Sequence, residues 1–209
     1  MEGLIGKKVG MTQVWDATGR QIAVTVLEVG PCPVIQVKTA AKDGYVAVQV
    51  GFGSQKPHRL TKSAVTRYTQ AGVAPCRMLH EFKPDAGEAF AVGQAIDVGM
   101  FDGVKFVDVQ GVTKGRGFAG VVRRYRMAGG PKTHGGHSKN RVGSIGARDL
   151  PGWVEKGKRM PGHMGSVSRT TQNLTVVQVR KEDNLLLVAG AIPGPVGGVV
   201  FVKKALKKG

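Results

Sequence analysis

Acidic side chains are scarce in this sequence: fourteen Asp and Glu stand against 31 Lys and Arg, a formal net charge of +17. A chain so short of acid is a poor collector of cations or basic partners. Its field attracts polyanions and repels copies of itself, so nucleic acid is the first candidate partner and an anionic membrane surface the second. Cysteine is almost as rare, with Cys32 in CPV and Cys76 in PCR. Neither spacing suits a metal, and two isolated thiols exclude a disulfide scaffold; small buried thiols are expected. Long apolar runs are also missing. Residues 185–202, LLLVAGAIPGPVGGVVFV, have the length of a membrane span, but Pro193, Pro195 and four glycines interrupt it. Two buried strands joined by a Pro-Gly turn fit this stretch better, and no membrane partner is expected. Lys7 and Lys8 would fall in the apolar region of a signal peptide, so the expected compartment is cytoplasmic.

Catalytic patterns are absent as well. There is no G-x-S-x-G elbow, no H-E-x-x-H and no close carboxylate pair in a glycine-framed pocket. No enzymatic activity, cofactor or small-molecule substrate is expected.

What the chain does have is a β grammar. QIAVTVLEVG, CPVIQVKT, YVAVQVGF and VKFVDVQGV each read as a strand, and the alternation is clearest at Val24, Val26 and at Val46, Val48, Val50. DATGR, KDG and FDG supply Asp and Gly for tight turns between them. The stretch 61–72, TKSAVTRYTQAG, reads as a short helix with Thr61 as cap and Gly72 as stop. After a long interruption the strand pattern resumes in NLTVVQV, NLLLVAGAI and VVFVKKA. Strands on both sides of an insert predict one sheet or barrel built from both sequence halves, with 209 residues enough for one substantial core plus an appendage.

The insert has a composition of its own. Residues 110–165 contain twelve Lys or Arg against two acids, and fourteen of the 32 glycines. Fixing a residue costs about 1–2 kcal/mol of backbone entropy, which a segment so poor in apolar groups cannot recover by burying itself. It is expected to be either disordered alone or ordered by something it binds. Lys114, Arg116, Arg123, Arg124 and Arg126 should grip phosphates where it leaves the body. Lys132, Lys139, Arg141, Arg148, Lys156, Lys158 and Arg159 should do so along it, with glycines permitting close approach.

Three motifs in the insert invite other readings. GRGFAG, 115–120, matches a dinucleotide fingerprint, but from 121 to 148 there is neither the second strand nor the acid that would hold a ribose. GWVEKGKR, 152–159, imitates a P-loop, yet Arg159 stands where a hydroxyl must coordinate Mg²⁺. His134 and His137 are three apart, but Gly135 and Gly136 disfavour a helix and no Cys or second acid joins them, so no metal is expected. These imidazoles are better placed to stack on bases or donate to phosphate and ribose. An NAD enzyme built on GRGFAG and a nonspecific DNA-coating protein stand as the rival readings.

Several stretches together resemble one family, the bacterial form of large ribosomal subunit protein three. They are GLIGKKVGMTQVW at the start, DGYVAVQVGFG at 43–53, VDVQGVTKGRGFAGVVRRY at 107–125, GSIG at 143–146, PGWVEKGKRMPGHMG at 151–165 and NLLLVAGAIPGPVGG at 184–198. The resemblance runs through the whole chain in order. It implies a mostly β fold: a β-barrel-containing globular body of the translation-protein type over 1–126 and 165–209, with a long irregular basic loop over 127–164. It further implies that the protein binds early and directly near the 3′ end of the large-subunit (23S) rRNA, seeds assembly and has ribosomal proteins as neighbours. The loop would penetrate the RNA toward the peptidyl transferase centre, with Ser144, Arg148, Asp149 and Pro151 at its tip. Some bacterial relatives carry a modifiable glutamine between GSIG and PG. Here ARDL has Asp149 at the matching place, which excludes that methylation and leaves an acid expected to pair with Arg148 or meet a cation.

Overall fold

The structure is a computed structural model that describes residues 1–208. By its contacts the chain divides into two compact units, one formed by Met1–Val112 with the chain from Ser168 onward, the other by Thr113–Val167. The first unit opens with β1 (Gly3–Trp15), β2 (Gln21–Val29), β3 (Cys32–Lys38), the short α1 (Ala40–Asp43) and β4 (Ala47–Ser54). A 3-10 turn at Pro57–Arg59 leads into α2 (Lys62–Ala71), then β5 (Cys76–Phe82), β6 (Ala95–Ile96) and β7 (Phe106–Val112). The second unit holds β8 (Phe118–Ala119), α3 (Val121–Tyr125) and β9 (Gly162–His163). β10 (Ser168–Arg180), β11 (Leu185–Ala189) and β12 (Val199–Lys204) complete the first.

Six strands close a barrel in the order β1-β12-β7-β10-β11-β2. The expected sheet or barrel is thus a barrel, and its two sequence halves interlock: the last strand lies between the first and the seventh, and β11 pairs with β2. Alternation puts Val200 and Val202 of β12 inside, while Leu186, Leu187 and Val188 of β11 are all buried. The four-stranded sheet β5-β4-β3-β6 supplies Val34, Val48, Val50 and Phe82 to the same core as Leu4, Leu27, Val29 and Phe101. Each such side chain, fully buried, contributes about 1.5–3 kcal/mol. Tyr68 of α2 packs with Ile35 and Cys76, and its hydroxyl donates to the Cys76 carbonyl at 3.1 Å. Both cysteines are free and buried, and burial pushes the Cys32 thiol up to about 12, so these are packing residues.

The helix expected over 61–72 forms between Thr61 and Gly72, the latter in the left-handed region at φ 65°. The Thr61 side chain, however, caps no backbone amide; its hydroxyl lies 3.3 Å from that of Ser63. Two long elements exceed the sequence expectations. β1 contains Gly3, Gly6 and Gly10, yet it is the barrel's seam strand, paired on both sides. β10 begins at Ser168, five residues before NLTVVQV, because Ser168–Thr171 ladder with Val109–Val112 despite their polarity.

Two bulges accompany the buried charged groups. The register of β1 shifts between Lys8 and Gly10. Buried Lys8 there donates through Nζ to the carbonyls of Ile192, 3.2 Å, and Gly194, 3.4 Å, tying the 190–198 turn to the barrel. β10 shifts between Thr171 and Leu174, where buried Asp108 accepts from the Asn173 backbone N–H at 2.7 Å. No helix among the described residues is long and apolar enough to cross a membrane.

Candidate nucleic-acid interface

The basic segment begins where the barrel ladder ends, since Val112 and Ser168 are paired residues of β7 and β10. From there its two arms run side by side. Thr113 N–H donates to Val167 O at 3.0 Å, Arg116 N–H to Met164 O at 2.8 Å and Met164 N–H to Gly117 O at 2.9 Å, and β8 then pairs with β9. Gly165 makes this approach possible. Its φ is 77° and an added Cβ would collide with the Lys114 carbonyl oxygen, so a side chain there would force the arms apart.

Beyond the stem, α3 presents Arg123 outward and turns Arg124 inward. Arg124 donates from Nη1 to Met160 O at 2.7 Å, and its guanidinium stands 4.9 Å from the Tyr125 ring centroid, with Arg159 5.7 Å from the same ring. This one arginine has a structural bond, while its remaining N–H donors stay available. Arg126 ends the helix in the left-handed region at φ 57°.

The stretch 129–141 folds back on itself. Gly130 N–H donates to Lys139 O at 2.8 Å, Gly136 N–H to Thr133 O at 3.1 Å and Arg141 N–H to Ser138 O at 2.7 Å. Its glycines therefore have a use nearer than any phosphate: a Cβ on Gly129 would strike Lys139 O, and one on Gly136 would strike Pro131 O. Small turns keep the backbone ordered while Lys132, His134, His137, Lys139 and Arg141 are left exposed.

Exposure is the rule for the whole set. Lys114, Arg116, Arg123, Arg126, Arg148, Lys156, Lys158 and Arg159 are exposed too, which leaves Arg124 as the half-buried member. Charge is not neutralised within the unit. Its one ion pair among the described residues joins Arg148 to Asp149 at 3.9 Å, with both side chains more than nine-tenths exposed. Asp149 thus takes the first of its two expected partners, loosely. Ser144 Oγ donates to Gly146 O at 3.1 Å, and Ile145, Ala147, Arg148, Trp153 and Val154 border a recess of about 340 Å³.

Sequence reasoning missed the apolar members of this surface. Trp153 is 67% exposed, Leu150 87% and Phe118 79%. The signal was present in the sequence: a tryptophan in a glycine-rich, acid-poor stretch has little around it to be buried by. Such rings offer flat faces to bases.

The rival motifs do not find their geometry. Every strand pair among the described residues is antiparallel, whereas a dinucleotide fold needs parallel strands joined through a helix. GRGFAG instead spans β8 and enters a five-residue helix. GWVEKGKR follows no strand. Among the described residues no three His, Cys, Asp or Glu side chains are grouped to hold a metal ion.

Comparison with known proteins agrees with the geometry. A family model described as Ribosomal protein L3 matches residues 85–185. The chain is 48% identical over 208 residues to the large ribosomal subunit protein uL3 of Brachyspira pilosicoli, covering 100% of this chain and 95% of that one. It is 49% identical over 208 residues to the protein of the same name from Acidothermus cellulolyticus, covering 99% and 94%. The counterpart in Pelotomaculum thermopropionicum is 48% identical over 206 residues, covering 99% and 98%. Identity at this level along the full length, over a barrel with a basic insert, shows that the chain belongs to the ribosomal protein L3 family, whose members are structural proteins of the large ribosomal subunit and not enzymes.

Proposed function

We propose that the chain is a structural constituent of the large ribosomal subunit in the cytoplasm, and that it binds large-subunit rRNA directly through Thr113–Val167. The observation that carries this reading is a unit whose exposed Lys and Arg side chains meet a single acidic partner, at 3.9 Å, among the described residues. Unpaired guanidinium and ammonium groups on turns suit a ribose-phosphate backbone, to which arginine can offer two N–H bonds at once. Binding near the 3′ end of the 23S rRNA, seeding of assembly and contact with neighbouring ribosomal proteins extend the reading by family. Residues 127–164 are the part assigned to deep RNA contact, and 1–126 with 165–209 the part assigned to the body. The test is preference and co-sedimentation. The protein should travel with large subunits in a gradient and choose folded rRNA over duplex DNA at equal salt; equal affinity for both would favour a DNA-coating protein.

The same reading puts Ser144, Arg148, Asp149 and Pro151 near the peptidyl transferase centre. Three of them are exposed and Pro151 is half-buried, so they lie outside the core. Ser144→Ala, Arg148→Gln and Asp149→Asn are expected to alter peptide-bond formation or antibiotic sensitivity of assembled ribosomes. Melting of the free protein should move by no more than about 0.5 kcal/mol, as for other surface changes. Unfolding of the free protein with indifferent ribosomes would refute this placement.

A further inference from the structure

β12 accompanies β1 only as far as Lys7, after which Lys8 N–H donates to Gly198 O at 2.9 Å. β2 continues alongside β1 as far as Trp15, opposite Gln21, while β11 pairs with β2 only over residues 24–28. The β1/β2 hairpin thus overhangs the barrel, and along residues 10–15 one edge of β1 has no strand beside it among the described residues.

Two bonds fix the phase of the hairpin ladder. Asp16 N–H donates to Arg20 O at 2.9 Å, so these two residues face each other as a bonded pair. Gly190 N–H donates to Ala23 O at 2.9 Å, so Ala23 turns its carbonyl away from β1. Bonded and non-bonded pairs alternate along antiparallel strands, which makes Val14 with Ile22 and Thr12 with Val24 bonded pairs. Met11, Gln13 and Trp15 therefore aim their N–H and C=O groups out of the sheet edge. Their side chains share one face of the strand, and all three residues are exposed. Edges are ordinarily blunted by a charge, a proline or a bulge. GMTQVW has no charged residue and no proline, and the bulge lies before it, between Lys8 and Gly10.

We infer that this edge takes one more strand, an extended segment of a neighbouring large-subunit protein that pairs with residues 11–15. The inference rests on the reading that the chain is a constituent of that subunit. Donors and acceptors alternating at a two-residue repeat are matched by another polypeptide backbone, whereas phosphate offers acceptors alone and would be repelled by the outward carbonyls. Local charge points the same way: residues 9–26 hold one acid, Asp16, and one base, Arg20, so in a chain of +17 this hairpin has no pull on a polyanion. A second copy of the chain is repelled by that same +17. Met11 and Trp15, 53% and 64% exposed on either side of Gln13, are of the side-chain types that protein interfaces concentrate.

The test places a photo-crosslinker at Met11 of the full-length chain and assembles that chain into large subunits. The crosslinker is expected to join to protein. Adding Gln13→Pro should cut that yield by about tenfold or more, because proline removes an outward donor that the β2 ladder does not use and leaves the incoming carbonyl unpaired. Gln13→Ala keeps the donor and should keep the yield. In subunits holding the unmodified chain, amide exchange at Met11, Gln13 and Trp15 should be slower than in the free chain, which reads the contact even if the proline variant fails to fold. Crosslinks to nucleotides alone would give the edge to RNA. Protein crosslinks indifferent to Gln13→Pro would mean side-chain contact without strand pairing, and amides that exchange as fast as in the free chain would mean an empty edge. Each of these overturns the inference. A wild-type chain that does not assemble into large subunits sinks the proposed function itself, and this contact with it.

Discussion

Raising salt from about 50 to about 200 mM is expected to weaken binding of the chain to large-subunit rRNA by about 10³- to 10⁴-fold, if about six to eight phosphates are neutralised. Deleting residues 128–164 and bridging the gap with a short Gly-Ser linker should flatten the slope of log K against log salt by about three to five. The deletion removes Lys132, Lys139, Arg141, Arg148, Lys156, Lys158 and Arg159, and with them β9, the partner of β8, but it leaves the bonds between Thr113 and Ser166–Val167 at the base of the arms. It also spares the Val112 and Ser168 junction, so the barrel should still melt cooperatively. A filter-binding salt titration alongside a melting curve reads both quantities. An unchanged slope would move the contacts to the stem cations or to the first unit; a lost transition would mean that the insert holds the barrel together.

The sequence made much of this legible, for identifiable reasons. β2, β4, β7 and β12 could be read because valines alternate or cluster between Asp-Gly turns, and the basic insert because net charge needs no folding to be counted. β5 was hidden because CRMLHEF mixes Arg77, His80 and Glu81 with few β-branched residues. Its identity as a strand comes from pairing with β4, a non-local fact. The order of strands around the barrel has the same origin and leaves no trace in periodicity. Within the insert, the cations could be named from sequence, but not the use of Gly129 and Gly136 against their own backbone, nor the bond from Arg124 to Met160. Each of these depends on what the chain meets after folding.

β1 makes the point most sharply, and it gives the larger stability prediction. Gly3 and Gly10 look alike in sequence, as glycines of the one stretch GLIGKKVG. In the barrel they differ. A Cβ on Gly3 would fall onto the Val202 carbonyl oxygen and within 3.0 Å of the Lys203 Cα, across the seam that joins the first strand to the last. The strand cannot slide away, because Met1 is fully buried, Glu2 N–H donates to Lys83 O at 3.0 Å and Lys204 N–H donates to Glu2 O at 2.8 Å. Backbone atoms on both sides would have to part, with loss of ladder hydrogen bonds. Gly10, at the bulge, has nothing within 4 Å of an added Cβ and no left-handed φ. Gly3→Ala is therefore expected to cost about 3 kcal/mol, at the upper end of overpacking, and to lower Tm by about 6–12 °C for a chain of this size. Gly10→Ala should be neutral or slightly stabilising, within about 0.5 kcal/mol, since alanine loses less backbone entropy on folding than glycine. Matched thermal melts of the two variants decide the matter. Equal melting would show that the seam yields to a methyl group, and that the barrel does not need a glycine at its closing strand.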